Sequence, residues 1–298
     1  MSVGTHFRLD RRAVERSFNR ASGRCATLAR LQAKVGSELL ERLQFFRLEP
    51  RAIIDLGCGF GGAATLLRRR FPRARVIAID ASYLMAREAR RRQRFWRRFD
   101  CVCADGCALP VGDQTIDLVL SNLMLQWYND PAALFAQVQR ALRPGGLMLF
   151  STFGTDTLHE LRSAWASADT ASHVSAFADM PLLGAAMSHA GLSEPVMDRE
   201  LQLVHYPDVQ ALMNELRMVG ARDDGADRRR SLTGRARMQS MVKHYESMRT
   251  GSGIPVSWEI IYGAGFAGSK RPDAADSGGG GGEFAVPLGS IRSRSRTP

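Results

Sequence analysis

A glycine-rich turn that follows a short apolar segment is the feature that most constrains how this 298-residue chain can fold. The segment and turn occupy the range Ile53–Gly62, in which two β-branched residues lead to an acid and then to Gly-Cys-Gly-Phe-Gly-Gly. β-Branched residues favour strands, and glycines allow positive φ angles and the close approach of a ligand to the backbone. The stretch therefore predicts the first strand, turn and helix of a nucleotide-binding α/β sheet.

The acid in this stretch separates two classes of ligand. Gly57, Gly59 and Gly62 fit the G-x-G-x-x-G pattern of dinucleotide sites, but Asp55 stands two residues before the first glycine. A carboxylate at the mouth of the site repels phosphate and attracts a cation, such as the sulfonium or amino group of S-adenosylmethionine. We therefore expect Asp55, Gly57, Cys58 and Gly59 to bind that cofactor rather than a pyrophosphate.

Two further acids follow segments that we expect to form neighbouring strands. The range Arg75–Asp80 predicts a second strand. Its terminal acid can accept hydrogen bonds from both hydroxyls of a ribose, which places Asp80 and the following Ala81 in the expected cofactor site. Sites for NAD and for adenosylmethionine share this feature, so it indicates a nucleoside without distinguishing the two. The range Phe99–Asp105 predicts a short third strand that also ends in an acid.

Polar residues also follow the expected fourth strand, Thr115–Asn122. Side chains at the end of such a strand face the crevice at the carboxyl edge of an open sheet, where ligands bind. Asn122 is therefore a candidate for the cofactor site, and Gln126 and Trp127 are candidates for the substrate pocket. Trp127 could equally be a packing residue.

Composition excludes several classes of protein. The five cysteines include a group at Cys101, Cys103 and Cys107 that lacks a matching second cluster, so we expect reduced cysteines and no metal. No apolar run is long enough to span a membrane, and the first residues lack the apolar core of a signal peptide. These observations predict a cytoplasmic enzyme that does not associate with membranes.

The chain is strongly basic, with a net charge of +11 and a pI of about 10.2. Arginines are densest between Arg68 and Arg98. Such a run is typical of a surface that binds an anionic partner, either nucleic acid or an acidic protein. It is equally typical of a solvated helix face, and the sequence leaves both interpretations open.

The remaining segments predict how the chain is divided. Phe153–Arg162 predicts a helix that Thr155 or Asp156 can cap, and the Gly- and Ser-rich C-terminus cannot form a core. We expect four regions: an N-terminal helical cap at residues 1–49, a cofactor-binding core at 50–155, lid helices with the last two strands at 156–266, and a disordered tail at 267–298.

A helix, the turn Arg143–Gly146 and an apolar strand follow one another in an order that is more specific than the glycine motif. Together with Asp55, Asp80 and Asp105, this order resembles the class I adenosylmethionine-dependent methyltransferases over about residues 50–155. The resemblance implies a Rossmann-like α/β fold, with a mostly parallel seven-stranded sheet, a late antiparallel strand and helices on both faces. It also implies S-adenosyl-L-methionine as cofactor and S-adenosylhomocysteine as product, with Asp105 and Gly106 near the adenine. Asp105 could instead be an ordinary turn acid.

Outer segments narrow this resemblance to a family. Ser151–Arg162, Arg228–Arg235 and Trp258–Gly263 are similar to segments of the malonyl-acyl carrier protein O-methyltransferases of biotin synthesis, and the match runs over about residues 10–265. The chain departs from that family at Cys25, where a Tyr is usual, and at Pro181, where a His is frequent.

The family resemblance implies methylation of the free carboxylate of a malonyl group carried by acyl carrier protein, an acidic partner. Tyr262 joins Gln126 and Trp127 as a substrate-pocket residue. A carboxylate is best held by an Arg fork, which makes Arg162 and Arg235 the candidate substrate binders.

Other activities on the same fold remain possible. One is methylation of a nucleic acid or a small molecule, although the chain lacks a recognisable RNA-binding module and an Asn/Asp-Pro-Pro-Tyr motif, which disfavours nucleic acid. Another is the hydroxylation of a protein arginine, as in a related group of assembly factors. Analysis of the reaction product distinguishes these activities.

Overall fold

The computed structural model describes residues 26–93, 98–169, 173–174, 176–218 and 234–268. Seven strands in this part of the chain form one sheet in the order β3-β2-β1-β4-β5-β7-β6. Strands β1 to β5 are parallel, and β7 is antiparallel to both β5 and β6. The strands are β1 Ala52–Leu56, β2 Arg75–Asp80, β3 Asp100–Cys103, β4 Ile116–Asn122, β5 Leu142–Phe153, β6 Leu192–Tyr206 and β7 Ile254–Ala267.

Helices connect and cover these strands. The α-helices are α1 Ala26–Arg42, α2 Gly62–Arg70, α3 Tyr83–Arg92, α4 Pro131–Ala141, α5 His159–Ala166, α6 Met180–His189, α7 Val209–Met218 and α8 Arg235–Glu246. Short 3-10 turns occupy Leu43–Phe45, Gly106–Ala108 and Leu125–Trp127. Helices α7 and α8 lie between β6 and β7 in the chain, where a lid was expected.

The apolar run at the start of β1 is explained by burial on both faces of the sheet. Successive strand residues point to opposite faces. Ile53 belongs to the core cluster that includes residues of α1 and α2, and Ile54 belongs to the cluster that includes residues of α4. Both isoleucines are fully buried. Parallel strands that are covered on both sides read as continuous apolar segments, and the expected layered α/β architecture is confirmed.

Side-chain caps fix the helices that leave the carboxyl edge of the sheet. The Ser82 hydroxyl accepts a hydrogen bond from the Met85 N–H at the start of α3, and Asp130 accepts one from the Ala133 N–H at the start of α4. Such caps satisfy N–H groups that have no partner within the helix. Asp179 caps α6 in the same way, which gives the segment that contains Pro181 a structural role.

The expected capping of α5 by Thr155 or Asp156 is wrong. Helix α5 begins at His159, and Leu158 precedes it with a φ of 59° and no side-chain cap. The backbone N–H of Asp156 donates instead to the carboxylate of Glu259 on β7, at 2.7 Å. A carboxylate that is distant in the sequence therefore sets the shape of the turn.

The sequence predicts a sixth strand from the segments Pro195–Asp198 and Leu201–Tyr206. Both segments lie in the single strand β6, which has a register shift near its start. The spacing of Leu134, Val138 and Leu142 after Pro131 predicts a helix that includes Leu142. That prediction is wrong at its end, because Leu142 pairs with Ile116 as the first residue of β5. Val14 and Phe18 have the apolar spacing that predicts the N-terminal helices, but they lie outside the described residues. So do Cys25, Arg228–Thr233 and the tail from residue 269.

Candidate active site

The backbone N–H groups of Gly57, Cys58 and Gly59 in the glycine turn donate hydrogen bonds to other groups of the protein. The N–H groups of Gly57 and Cys58 donate to the carbonyl oxygen of Ile79, at 2.8 and 3.0 Å. The N–H of Gly59 donates to the Asp80 carboxylate at 2.9 Å. A phosphate cradle needs N–H groups that point towards the anion, whereas these three N–H groups already donate hydrogen bonds within the protein. The geometry therefore favours a ligand other than a pyrophosphate.

Two glycines of the turn have different tasks. Gly57 has a φ of 77°, and a Cβ there would lie 2.3 Å from Met124 Cγ, so packing requires glycine at this position. Gly59 has a φ of 50°, and a Cβ added to it would meet no atom within 4 Å. Gly59 therefore borders open space in which a ligand can approach the backbone closely.

Asp55 lies beneath the turn rather than at the mouth of the crevice. Its side chain is buried and accepts a hydrogen bond from the Ala64 N–H in the first turn of α2, at 2.8 Å. Burial raises the pKa of Asp55 to about 7, and the nearby Asp80 adds to this effect, while the bond from Ala64 opposes it. A carboxylate of the protein thus interacts with the positive end of α2, which a phosphate would otherwise contact.

Asp80 connects the second strand to the glycine turn. One carboxylate oxygen accepts from Gly59, and the other accepts from the Ser82 N–H at 2.8 Å. Burial raises the pKa of Asp80, and the two backbone bonds oppose that rise. A carboxylate has about four acceptor positions, so two remain for the hydroxyls of a ribose. Ala81 is exposed beside it.

The third strand brings Asp105 to the same edge of the sheet. The Ala104 N–H donates to the carbonyl oxygen of Asp80 at 3.0 Å, which places the two acidic segments side by side. The Asp105 carboxylate accepts from the Cys107 N–H at 2.9 Å and caps a 3-10 turn. Asp105 therefore acts as a turn acid, and this bond uses one of about four acceptor positions.

Tyr128 contacts the candidate cofactor residue Gly106, a contact that the sequence did not reveal. Its hydroxyl accepts a hydrogen bond from the Gly106 N–H at 3.0 Å. A Cβ on Gly106 would approach that hydroxyl to 2.9 Å, so the close contact requires glycine. The position of Tyr128 directly after Trp127, beyond the fourth strand, was the available signal.

Helix α1 lies against the end of the fourth strand. The side-chain N–H of Asn122 donates to the carbonyl oxygen of Gln32 at 3.0 Å, and the Ser151 hydroxyl donates to Asn122 Oδ1 at 2.8 Å. Gly36 allows the approach, since a Cβ there would lie 3.0 Å from Asn122 Nδ2. The cofactor candidate Asn122 is thus covered by the helix that precedes the sheet.

The substrate-pocket candidates occupy two places. Gln126 donates to the Leu123 carbonyl oxygen at 2.7 Å and accepts from the Thr152 hydroxyl at 3.2 Å, beside a half-buried Trp127. Tyr262 is 1% exposed on β7 and donates its hydroxyl hydrogen to a carboxylate of α1. Gln126 therefore belongs to the edge between β4 and β5, whereas Tyr262 lies under α1.

The two candidate arginines have different surroundings. The terminal nitrogens of Arg162 donate to the carbonyl oxygens of Thr155 and Thr157, at 2.9 and 3.0 Å. Arg162 thereby stabilises the turn between β5 and α5. Arg235 is exposed as the first residue of α8.

The described part of the chain has neither a metal-binding cluster nor a membrane-spanning helix. It contains no cluster of three or more His, Cys, Asp or Glu side chains suited to holding a metal ion. No helix among these residues has the length and apolar character needed to cross a membrane.

Comparison with known proteins identifies the family. Residues 54–150 match the model of a methyltransferase domain. The YcgJ protein from Bacillus subtilis shares the fold, with a TM-score of 0.57 at 16% identity, over 78% of this chain and 99% of that one. A malonyl-[acyl-carrier protein] O-methyltransferase of Xylella fastidiosa is 41% identical over 95% of this chain and 96% of its own length. The enzyme of that name from Halorhodospira halophila is 38% identical over 99% of this chain and 100% of its own length. The chain therefore belongs to the malonyl-[acyl-carrier protein] O-methyltransferase family.

Proposed function

We propose that this protein transfers a methyl group from S-adenosyl-L-methionine to the free carboxylate of a malonyl thioester on acyl carrier protein. The product is a malonyl methyl ester, which enters fatty acid synthesis to make the pimeloyl precursor of biotin. The observation that carries this proposal is the 38–41% identity to enzymes of that name along nearly the whole chain. The experiment that tests it is mass spectrometry of malonyl-carrier protein after incubation with adenosylmethionine.

The turn and the strand ends fit the proposed cofactor. Asp80 has acceptor positions for a ribose, Gly59 borders open space, and the buried charge of Asp55 attracts a cation rather than a phosphate. Asp105 and Gly106 lie beside Asp80 at the same edge, where an adenine would extend.

Methyl transfer to a carboxylate requires positioning more than proton transfer. The sulfonium supplies an activated methyl group: a carboxylate oxygen bonds to the methyl carbon, the carbon–sulfur bond breaks, and the electron pair stays on sulfur. A malonyl carboxylate has an ordinary pKa near 4 and is ionised at neutral pH, so no general base is needed. Holding two reactants at attack distance supplies roughly 7–11 kcal/mol of the barrier reduction. The residues around the site therefore need to bind, orient and exclude water.

An acidic carrier protein also suits the charge of this chain. Arg87 and Arg90 are exposed on α3, and within the described residues no carboxylate forms an ion pair with either. Arg91 and Arg92 share Glu88. Arg92 also lies over the ring of Phe60, with 4.2 Å between Cζ and the ring centroid, so this basic face adjoins the glycine turn. We expect the carrier protein to approach on this face.

Malonyl-carrier protein should have a higher kcat/KM than malonyl-coenzyme A, by roughly tenfold at low salt, because opposite charges accelerate encounter. The preference should shrink as ionic strength rises. The double variant Arg87→Glu/Arg90→Glu should lose most of it while binding adenosylmethionine normally. A control, Arg47→Glu/Lys243→Glu, changes the same charge at exposed positions elsewhere. Equal losses in both variants would contradict docking on α3.

A further inference from the structure

A carboxylate of the protein itself occupies a polar position between α1 and the sheet. Glu38 accepts a hydrogen bond from the Tyr262 hydroxyl, and its other oxygen lies 3.6 Å from Lys34 Nζ. The Glu38 side chain is 22% exposed and that of Lys34 is 55% exposed. The Lys34 ammonium also donates a hydrogen bond to Gln202 Oε1 on β6, at 2.5 Å. Tyr262 thus donates to Glu38, and Lys34 lies between Glu38 and Gln202, close to solvent.

The surroundings of Tyr262 keep its phenol protonated, so that the hydroxyl can donate a hydrogen bond. Burial raises the pKa of Tyr262, and the carboxylate of Glu38 raises it further. The Arg42 guanidinium lies 3.5 Å above the centroid of the tyrosine ring and forms an ion pair with Asp198 at 2.9 Å. Stacking of this kind fixes the ring. The phenol thus remains protonated and can donate to an anion.

This position is joined to the candidate cofactor site by a row of paired residues. Tyr262 pairs with Ser151 across β7 and β5, and Ser151 pairs with Asn122 across β5 and β4. The Ser151 hydroxyl donates to Asn122 Oδ1 at 2.8 Å. Neighbouring strands are about 4.8 Å apart, so Tyr262 lies about 10 Å along the sheet from the end of β4.

We propose that Tyr262 and Lys34 form the subsite for the free carboxylate of the substrate, and that Glu38 occupies this subsite until the substrate displaces it. One substrate oxygen would accept from Tyr262 and Lys34, leaving the other to attack the methyl group. This subsite rests on the proposed function. It assigns the selectivity for a malonyl group to Tyr262 and Lys34 rather than to the candidate arginines Arg162 and Arg235. Both terminal nitrogens of Arg162 donate to the Thr155 and Thr157 carbonyl oxygens. The Lys34 ammonium has three donor hydrogens, so its bond to Gln202 leaves it able to donate to a substrate oxygen.

The subsite has two consequences for affinity. An acetyl thioester lacks the carboxylate and gains nothing from Tyr262 and Lys34, so the subsite selects malonyl over acetyl groups. Displacing Glu38 lowers the observed affinity, because a ligand binds less tightly when its site is free for only a fraction of the time. Removing the Glu38 charge should therefore strengthen substrate binding, whereas removing the donors should weaken it.

Calorimetry with protein saturated by S-adenosylhomocysteine, with malonyl-coenzyme A and acetyl-coenzyme A as probes, measures the subsite without turnover. We expect wild-type protein to prefer the malonyl probe, and Tyr262→Phe or Lys34→Met to lose roughly tenfold or more of that preference, as for a lost hydrogen bond to a charged group. Glu38→Gln should tighten malonyl binding. None of the three should alter acetyl binding. Tyr245→Phe is the matched control, since it removes the hydroxyl of a tyrosine on α8 that donates to the Pro255 carbonyl oxygen on β7.

Kinetics with malonyl-carrier protein separate this proposal from the proposed function. A raised KM with a largely retained kcat in Lys34→Met would support the subsite. An unchanged malonyl preference in Tyr262→Phe and Lys34→Met, or weaker malonyl binding in Glu38→Gln, would overturn it and leave the three residues as anchors of α1. Wild-type protein that binds malonyl-coenzyme A selectively but never methylates it or the carrier-bound group would instead contradict the proposed function.

Discussion

The Asp55→Asn variant should be more stable than the wild-type protein above pH 7, by up to about 4 kcal/mol in the free energy of unfolding. Burial raises the pKa of Asp55 from its ordinary value of 3.8 to about 7, and one pKa unit corresponds to about 1.4 kcal/mol. The folded protein therefore binds a proton more readily than the unfolded chain between these values. The stability that Asp55 contributes is present below pH 3.8 and is lost as the pH rises through 7.

Urea unfolding of both proteins from pH 4 to pH 8 tests this sign. The difference in the free energy of unfolding between the two proteins should be small at pH 4 and should grow towards pH 8, because Asn is uncharged throughout. Asn can also still accept the hydrogen bond from the Ala64 N–H. Asp100→Asn removes a half-exposed charge that pairs with Arg75 and serves as the charge control. If Asp55→Asn were the less stable protein at pH 8, the ionised carboxylate would be stabilising and our assignment of its pKa would be wrong.

The same variant should bind adenosylmethionine more weakly at pH 8, since the charge that costs stability is the charge that attracts a cation. A residue that lowers stability while supporting ligand binding is typical of a functional site. Opposite changes in stability and cofactor affinity would support this interpretation of the acid in the glycine motif.

Asp80→Ala should weaken adenosylmethionine binding by roughly 1–3 kcal/mol, or about 5- to 150-fold. The substitution removes the expected ribose acceptor and also frees the N–H groups of Gly59 and Ser82, which shape the turn. Asp80→Asn keeps one acceptor oxygen, so its affinity for adenosylmethionine should lie between those of the wild-type protein and Asp80→Ala. Calorimetry with adenosylmethionine and with S-adenosylhomocysteine measures both.

Asp100→Ala is again the control, because it removes an acid from the neighbouring strand β3 without touching the turn. Unchanged affinity in Asp80→Ala would show that this carboxylate does not contact the cofactor. Binding of NAD in place of adenosylmethionine would contradict the cofactor assignment altogether.

The sheet was predictable because its signals are local. A β-branched segment, a glycine turn and an acid at the end of the next strand each lie within a few residues, and parallel strands bring their carboxyl ends to one edge. The positions of Asp80 and Asp105 beside the turn follow from that rule. The antiparallel strand β7 was expected from resemblance and is confirmed by its pairing with β5.

The contacts around the expected substrate site were not predictable from local patterns. Glu259 holds the turn at Asp156, and Glu38 bonds to Tyr262, although these partners are 103 and 224 residues apart in the chain. The burial of Asp55 was missed for the same reason, because it depends on how α2 packs over β1. Arg162 fitted the chemistry of a carboxylate binder, but sequence alone could not show that backbone carbonyls engage it.

Mass spectrometry of malonyl-carrier protein after incubation with adenosylmethionine and this protein tests the central claim most directly. We predict that the malonyl group gains one methyl as an ester, with an equal amount of S-adenosylhomocysteine, and that acetyl-carrier protein is unchanged. Unmodified malonyl-carrier protein, under conditions in which adenosylmethionine binds, would contradict the claim. A hydroxylated arginine or a methylated nucleic acid in its place would assign the fold to one of the other activities.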